Sequence, residues 1–141
     1  MKKGIPKSFE FHPPPEVWEL PNKKIKKAQI KLLRGLLDLI ILQLLRSQPM
    51  HSYRIIMQIR KNFGIYFGSS TIYPLMNRME EEGYIKSEWK MEGGRYRKVY
   101  NLTSEGQDFL TLTEDLVKRI SQKIVKEEKD KYSDSDNLKD W

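Results

Sequence analysis

Ser69-Ser70-Thr71-Ile72-Tyr73-Pro74-Leu75-Met76-Asn77-Arg78-Met79-Glu80-Glu81-Glu82-Gly83, and the run from Tyr84 to Leu102 that follows it, decide the fold. Three residues whose side-chain oxygens suit a helix N-cap open the stretch, and Ile72, Leu75, Met76 and Met79 then fall at helical spacing up to Glu82. Gly83 is expected to end this helix as a left-handed cap. Pro74 conflicts least with the helix if Ser70 is the N-cap, because its missing N–H is then only the first intrahelical donor. Beyond the glycine, Tyr84-Ile85-Lys86-Ser87-Glu88-Trp89-Lys90 alternates apolar with polar side chains, as does Arg97-Lys98-Val99-Tyr100-Asn101-Leu102, with Gly93-Gly94 between them. That is the pattern of a β-hairpin with a glycine turn.

Two helices precede this stretch. From Ile30 to Leu45 apolar residues stand at 32, 33, 36, 37, 40, 41, 44 and 45, the rhythm of a helix with a broad buried face. Arg46-Ser47-Gln48-Pro49 ends it, since the residue before proline avoids the helical region. The second helix runs from about Ser52 to Lys61, with Tyr53, Ile56, Met57 and Ile59 as core candidates, and Asn62 and Gly64 close it. After the hairpin Thr103 caps a last helix whose Phe109, Leu112, Leu116, Ile120 and Ile124 form one stripe, with Leu110, Val117 and Val125 beside it. The fold class expected is mainly α (α+β): a winged helix-turn-helix over 29–103 and a long helix over 104–131.

The ends differ from the middle. Residues 1–28 form a Pro-rich and basic arm: five of the seven prolines lie before residue 22, so this stretch is expected to be extended. Phe9, Phe11 and Trp18 give the arm something to dock with on the body or a partner subunit, against the simpler reading of a disordered basic tail. Asn22 is a candidate N-cap for Lys23-Lys24-Ile25-Lys26-Lys27, candidate first turns of the next helix. Residues 132–141, rich in Ser, Asp and Asn, read as a disordered acidic tail.

Charge and composition narrow the function. The 141 residues carry 26 Lys and Arg against 19 Asp and Glu, a net charge of +7, unevenly placed, with a basic front and an acidic tail. Such a balance favours a polyanionic partner, nucleic acid before anionic membrane. There is no cysteine, and the longest apolar run, Leu36 to Leu45, is far short of a membrane span of roughly 20 residues. With no signal-peptide pattern at the N-terminus, a cytoplasmic location is expected. Nothing supports catalysis: there is no carboxylate pair with a base, no histidine cluster and no phosphate loop, because no helix follows Gly93-Gly94 as such a loop requires. Neither a metal nor a cofactor is expected.

In a helix-turn-helix followed by a wing, the third helix enters the major groove and the hairpin tip reaches phosphate or the minor groove. Ser69, Ser70 and Thr71 supply hydroxyls and amides at a positive helix end, suited to phosphate, unless they are a plain cap. Tyr73, Asn77 and Arg78 are suited to base edges, the alternative for Tyr73 being core packing. Arg95, Arg97 and Lys98 place three cations at the hairpin turn, and Lys23 and Lys24 can add phosphate contacts. Trp89 and Trp18 read as packing residues, and His51 as a hydrogen-bonding residue at a helix start.

Gly35-Leu36-Leu37-Asp38-Leu39-Ile40-Ile41-Leu42, Pro49-Met50-His51-Ser52-Tyr53, Ser70-Thr71-Ile72-Tyr73-Pro74-Leu75, Arg78-Met79-Glu80-Glu81-Glu82-Gly83-Tyr84-Ile85, and Glu92-Gly93-Gly94-Arg95 with Tyr100-Asn101-Leu102-Thr103-Ser104-Glu105-Gly106 follow one another in the order and spacing of the PadR family of transcriptional regulators. The chain resembles that family over about residues 35–110. The resemblance implies a winged-helix DNA-binding domain, a C-terminal dimerisation helix and, usually, repression of nearby genes. Ser52 stands where the family usually has glycine. Some PadR-like proteins bind planar aromatic effectors between subunits on aromatic residues of the last helix; here that helix has no aromatic residue between Phe109 and Tyr132, and any effector is unknown.

The sequence therefore points to a homodimeric, sequence-specific regulator of double-stranded DNA, with no membrane partner. The stripe of Phe109, Leu112, Leu116, Ile120 and Ile124 is too long to bury on a domain of this size and is read as the subunit contact. The alternative is a winged helix used for protein contact with only nonspecific DNA affinity.

Overall fold

The computed structural model describes residues 23–125. The expectations for the arm up to residue 22, including Phe9, Phe11, Trp18 and Asn22, and for residues 126–141, with the end of the last helix and the acidic tail, lie outside the described residues. Elements follow the order α1 (Lys23–Ser47), β1 (Met50–His51), α2 (Ser52–Phe63), α3 (Ser69–Glu81), β2 (Ile85–Glu92), β3 (Arg95–Leu102) and α4 (Ser104–Ile124). Two compact units share the chain, one up to Leu110 and one from Thr111.

In the first unit three helices and a small antiparallel sheet of order β1-β3-β2 make a winged helix. The lysine run at 23–27 does form the first turns of α1, so the helix begins inside the stretch read as arm. Its C-terminal half is buried almost all round, Leu37, Ile40, Ile41, Leu44 and Leu45 joined by Leu39 and Leu42. Leu32, expected in that face, is 68% exposed, because burial on α1 starts only at Leu33. On α2 the buried residues are Ile55, Ile56 and Ile59, not the expected Tyr53 and Met57, which face solvent. Ile72, Met76 and Met79 of α3 complete the core with Ile85, Val99, Tyr100 and Leu110. No polar or charged side chain is buried among the described residues.

The hairpin is longer than its alternating pattern suggested. Met91-Glu92 and Arg95-Tyr96 continue the ladder to a two-residue turn at Gly93 and Gly94, whose φ values of 56° and 79° are the paired positive angles that a type I′ turn requires. Beyond Ser87 the side chains of β2 are exposed on both faces, so the hairpin tip stands clear of the core. β1 was not anticipated: Met50 pairs with Tyr100 and His51 with Val99.

One junction ties α3, the wing and α4 together. Tyr84 N–H donates to Met79 and Gly83 N–H to Glu80, closing α3 with Gly83 in the left-handed region. Thr103 Oγ1 donates to Gly83 O at 2.6 Å and accepts from Gly106 N–H at 3.0 Å, which is the expected cap of α4. Gly106 is buried so closely here that a Cβ would sit 2.0 Å from the carbonyl oxygen of Tyr84. Phe109, one turn further, stacks on Tyr84 at 4.3 Å between ring centroids.

In the second unit α4 continues to Ile124. Leu112, Leu116, Ile120 and Ile124 are 47–75% exposed and recur every four residues, a continuous apolar stripe on one helix face.

Gly106 and Gly35 make a paired test of the packing. Gly106→Ala forces backbone apart and is expected to cost about 2–3 kcal/mol, a fall in Tm on the order of 10 °C. Gly35→Ala, at an exposed helical site with nothing within 4 Å of the new methyl, is expected to stabilise by about 0.5–1 kcal/mol. Thermal melts of the two variants should move in opposite directions.

Candidate nucleic-acid interface

The sequence of α3 sorts its residues by face. Ile72, Met76 and Met79 lie at i, i+4 and i+7 and are buried, which turns Ser70, Tyr73, Pro74, Asn77 and Arg78 to the opposite, exposed side. Tyr73 is 46% exposed, so it is not a core residue. The N-cap is Gly68 rather than Ser70: Thr71 and Ile72 N–H both donate to Gly68 O, and no side chain caps the helix. Pro74 consequently lies deeper in the helix than expected and removes the bond to Ser70 rather than the first one. Ser69 and Ser70 thus bring amides and hydroxyls to a helix end that has no acidic residue in its first turn.

The wing is held to this helix through Glu80. Its Oε2 accepts from Ser87 N–H at 2.9 Å and from Ser87 Oγ, and its Oε1 lies 3.9 Å from Lys98 Nζ. One half-buried carboxylate thereby contacts both hairpin strands. Lys98 Nζ also stands 5.7 Å from the centre of the Tyr100 ring, a cation–π contact. Burial raises the Tyr100 phenol above its ordinary range, with Glu80 and Tyr73 adding to the shift, so it stays neutral.

Between the exposed face of α3 and the wing runs a groove of about 400 Å³. Tyr73 and Asn77 form one wall, Trp89, Tyr96, Arg97 and Lys98 the other, and His51 and Ser52 join them from the start of α2. Trp89, expected to pack, is instead 66% exposed and lines this groove. Ser52 Oγ donates to Tyr73 Oη at 3.0 Å, so the residue that departs from the family's glycine orients an exposed ring of α3. Arg95 projects from the turn and is exposed, as are Lys23 and Lys24 in the first turn of α1.

His51 caps α2, its Nδ1 accepting from Arg54 N–H at 3.2 Å. Its Nε2 lies 3.1 Å from a guanidinium nitrogen of Arg97. Burial holds the imidazole below its ordinary pKa, the Arg97 and Arg54 charges push the same way, and Glu92 opposes them. The sequence reading anticipated the hydrogen-bonding role at a helix start but not the Arg97 contact, because the strand pairing that joins residues 46 positions apart leaves no local signal.

The sequence profile of the transcriptional regulator PadR-like family matches residues 41–112. An uncharacterized protein of Lysinibacillus sphaericus is 31% identical over 83 residues, 57% of this chain and 76% of its own length. A transcriptional regulator of Mycobacterium tuberculosis is 29% identical over 62 residues, 44% of this chain and 58% of that protein. Among solved structures, a PadR family transcriptional regulator from Eggerthella lenta superposes with a TM-score of 0.63 at 31% identity, covering 72% of this chain and 89% of its own. A transcriptional regulator from Clostridium thermocellum gives 0.61 at 29% identity, covering 67% and 94%. No helix of the described residues is long and apolar enough to cross a membrane.

Because the pKa of His51 is lowered in the folded chain, folding favours its neutral form. This contribution to stability is complete above the unfolded value of about 6.5 and is lost as pH falls through the lower folded value. His51→Asn keeps an acceptor where Nδ1 stands and removes the titration. Between pH 7 and 5 the variant's Tm is expected to fall less steeply than that of the unaltered chain, as followed by circular dichroism.

Proposed function

Since the chain belongs to the PadR-like family of transcriptional regulators, we propose that it binds double-stranded DNA in a sequence-dependent way as a homodimer, with α3 in the major groove and the wing on the backbone or minor groove. The observation that supports this most directly is the face of α3 turned away from the core. Tyr73, Asn77 and Arg78 offer donors and acceptors there, and the cations of the wing flank them. Ser69, Ser70 and Thr71 meet phosphate at the helix start, and Arg95, Arg97 and Lys98 meet it from the wing. Lys23 and Lys24, exposed in the first turn of α1, add phosphate contacts.

The subunits join through the apolar stripe of α4, Leu112, Leu116, Ile120 and Ile124, with Phe109 at its head. Four large apolar residues exposed along one helix face would be costly on a monomer. A symmetric dimer sets two copies of α3 on half-sites roughly 34–36 Å apart. Bound so, the protein blocks transcription from the site it covers, the family's usual mode. The role is non-enzymatic and belongs in the cytoplasm, where the DNA is.

Selection of bound sequences from random DNA tests the reading: enrichment of a near-palindrome is expected. Arg95→Ala or Lys98→Ala should weaken binding to every sequence alike and lower the salt slope by about two per dimer, whereas Tyr73→Ala or Asn77→Ala should flatten sequence preference. Equal losses on specific and random DNA for all four would mean that α3 does not read bases. Leu116→Glu combined with Ile120→Glu should yield monomers in sedimentation, and an unchanged dimer would remove α4 as the contact.

A further inference from the structure

His51 is placed between two donors. Arg54 N–H points at Nδ1 and the Arg97 guanidinium at Nε2, yet a neutral imidazole has one acceptor nitrogen only and arginine never accepts. With the proton on Nδ1 the helix cap is lost; with the proton on Nε2 the ring N–H meets the Arg97 N–H. One donor is unmatched in either tautomer. Arg97 makes no ion pair among the described residues, and Glu92 is a carboxylate that opposes the lowering of the His51 pKa.

An anionic oxygen removes the conflict. Seated beside the two groups, which are 3.1 Å apart, with the Arg97 N–H turned towards it, it accepts from Nε2–H and Arg97 while Nδ1 keeps the cap of α2, so all three donors are matched at once. The pair lines the groove between α3 and the wing, as do Lys98 and Ser52. If α3 lies in the major groove and the wing reaches the next minor groove, the backbone strand separating those grooves has to cross this channel. We propose that His51 and Arg97 together clamp one phosphate of that strand, which adds His51 to the DNA contacts as a neutral donor. The proposal rests on the DNA-binding reading above. A phosphate oxyanion from solution would satisfy the same chemistry, so the test separates the two.

His51→Asn retains the cap acceptor and empties the Nε2 position. Its Tm at pH 7.5 should match that of the unaltered chain, while the Kd for specific and random duplexes alike rises roughly tenfold. Because the lost donor is neutral, the salt slope should not change. Arg97→Gln should give a similar loss with the slope reduced by about one per subunit, and the double variant should lose less than the product of the two. One neutral methylphosphonate, scanned along the selected duplex, should at a single position per half-site abolish the difference between His51→Asn and the unaltered chain. Unchanged duplex affinity in His51→Asn would overturn the proposal. So would a ¹⁵N shift of His51 Nε2 on titration with inorganic phosphate coupled to that unchanged affinity, which would make this a small-anion site. If the unaltered chain bound no duplex of any sequence, the DNA-binding reading itself would fail, a result distinct from failure of the clamp alone.

Discussion

The Glu80 carboxylate is the constraint on which the geometry of the groove depends. It sits on the last turn of α3, accepts two bonds from Ser87 on β2 and draws Lys98 of β3 towards it. Hydrogen bonds to a charged group contribute roughly 1.5–3 kcal/mol, more than a neutral pair, and these two act directly between α3 and β2. Apolar contact is non-directional and leaves the angle of a hairpin loosely set. A charged acceptor with two donors on one residue fixes the wing against α3, and the groove keeps its width because of it. Two of the wing's own cations have contacts within the chain, Lys98 with Glu80 and Arg97 with the ring of His51.

The second junction, around Thr103, works in the same manner at the base of the hairpin. One hydroxyl donates to the carbonyl of Gly83 and accepts from the N–H of Gly106, so the end of α3 and the start of α4 share an atom. Gly106 permits the approach of Tyr84, whose ring then stacks on Phe109. The hairpin is therefore clamped at its base on both strands, while its tip beyond Ser87 is exposed on both faces. Base rigidity and tip exposure are both needed by an element that has to reach a partner from a fixed position.

Much of this was legible in the residues because long periodic runs leave little choice. Five helix or hairpin segments were read in the correct order, and the Thr103 cap and the Gly93-Gly94 turn were identified from local chemistry alone. The misses share a cause. On α2, residues 53, 56 and 57 are as periodic as 55, 56 and 59, and only the position of the neighbouring elements decides which face is inside. Trp89 alternates correctly for a buried strand, yet lies beyond the point where the hairpin leaves the core. β1 has two residues, too few for any alternation to register, and with it went the pairing of His51 to Val99 that brings the imidazole to Arg97. Gly68 as N-cap was hidden behind three better cappers in a row.

Exposed cations away from the groove and neutral donors along it differ in reach. Arg95 at the hairpin turn and Lys23 and Lys24 on α1 are exposed, where salt screens a charge beyond about 8 Å at physiological ionic strength. Their attraction acts at a distance and on any polyanion. His51, Ser52 and Asn77 lie along the groove and are neutral, so they act only on a group already in contact. The bond from Ser52 to Tyr73 shows how such contacts couple: it spends the serine hydroxyl proton on holding a ring of the exposed face of α3, leaving the phenol O–H to donate outward. On the proposed mode of binding, the cations bring DNA to the protein and set its salt dependence, and neutral donors in the groove fix the register in which α3 meets the bases.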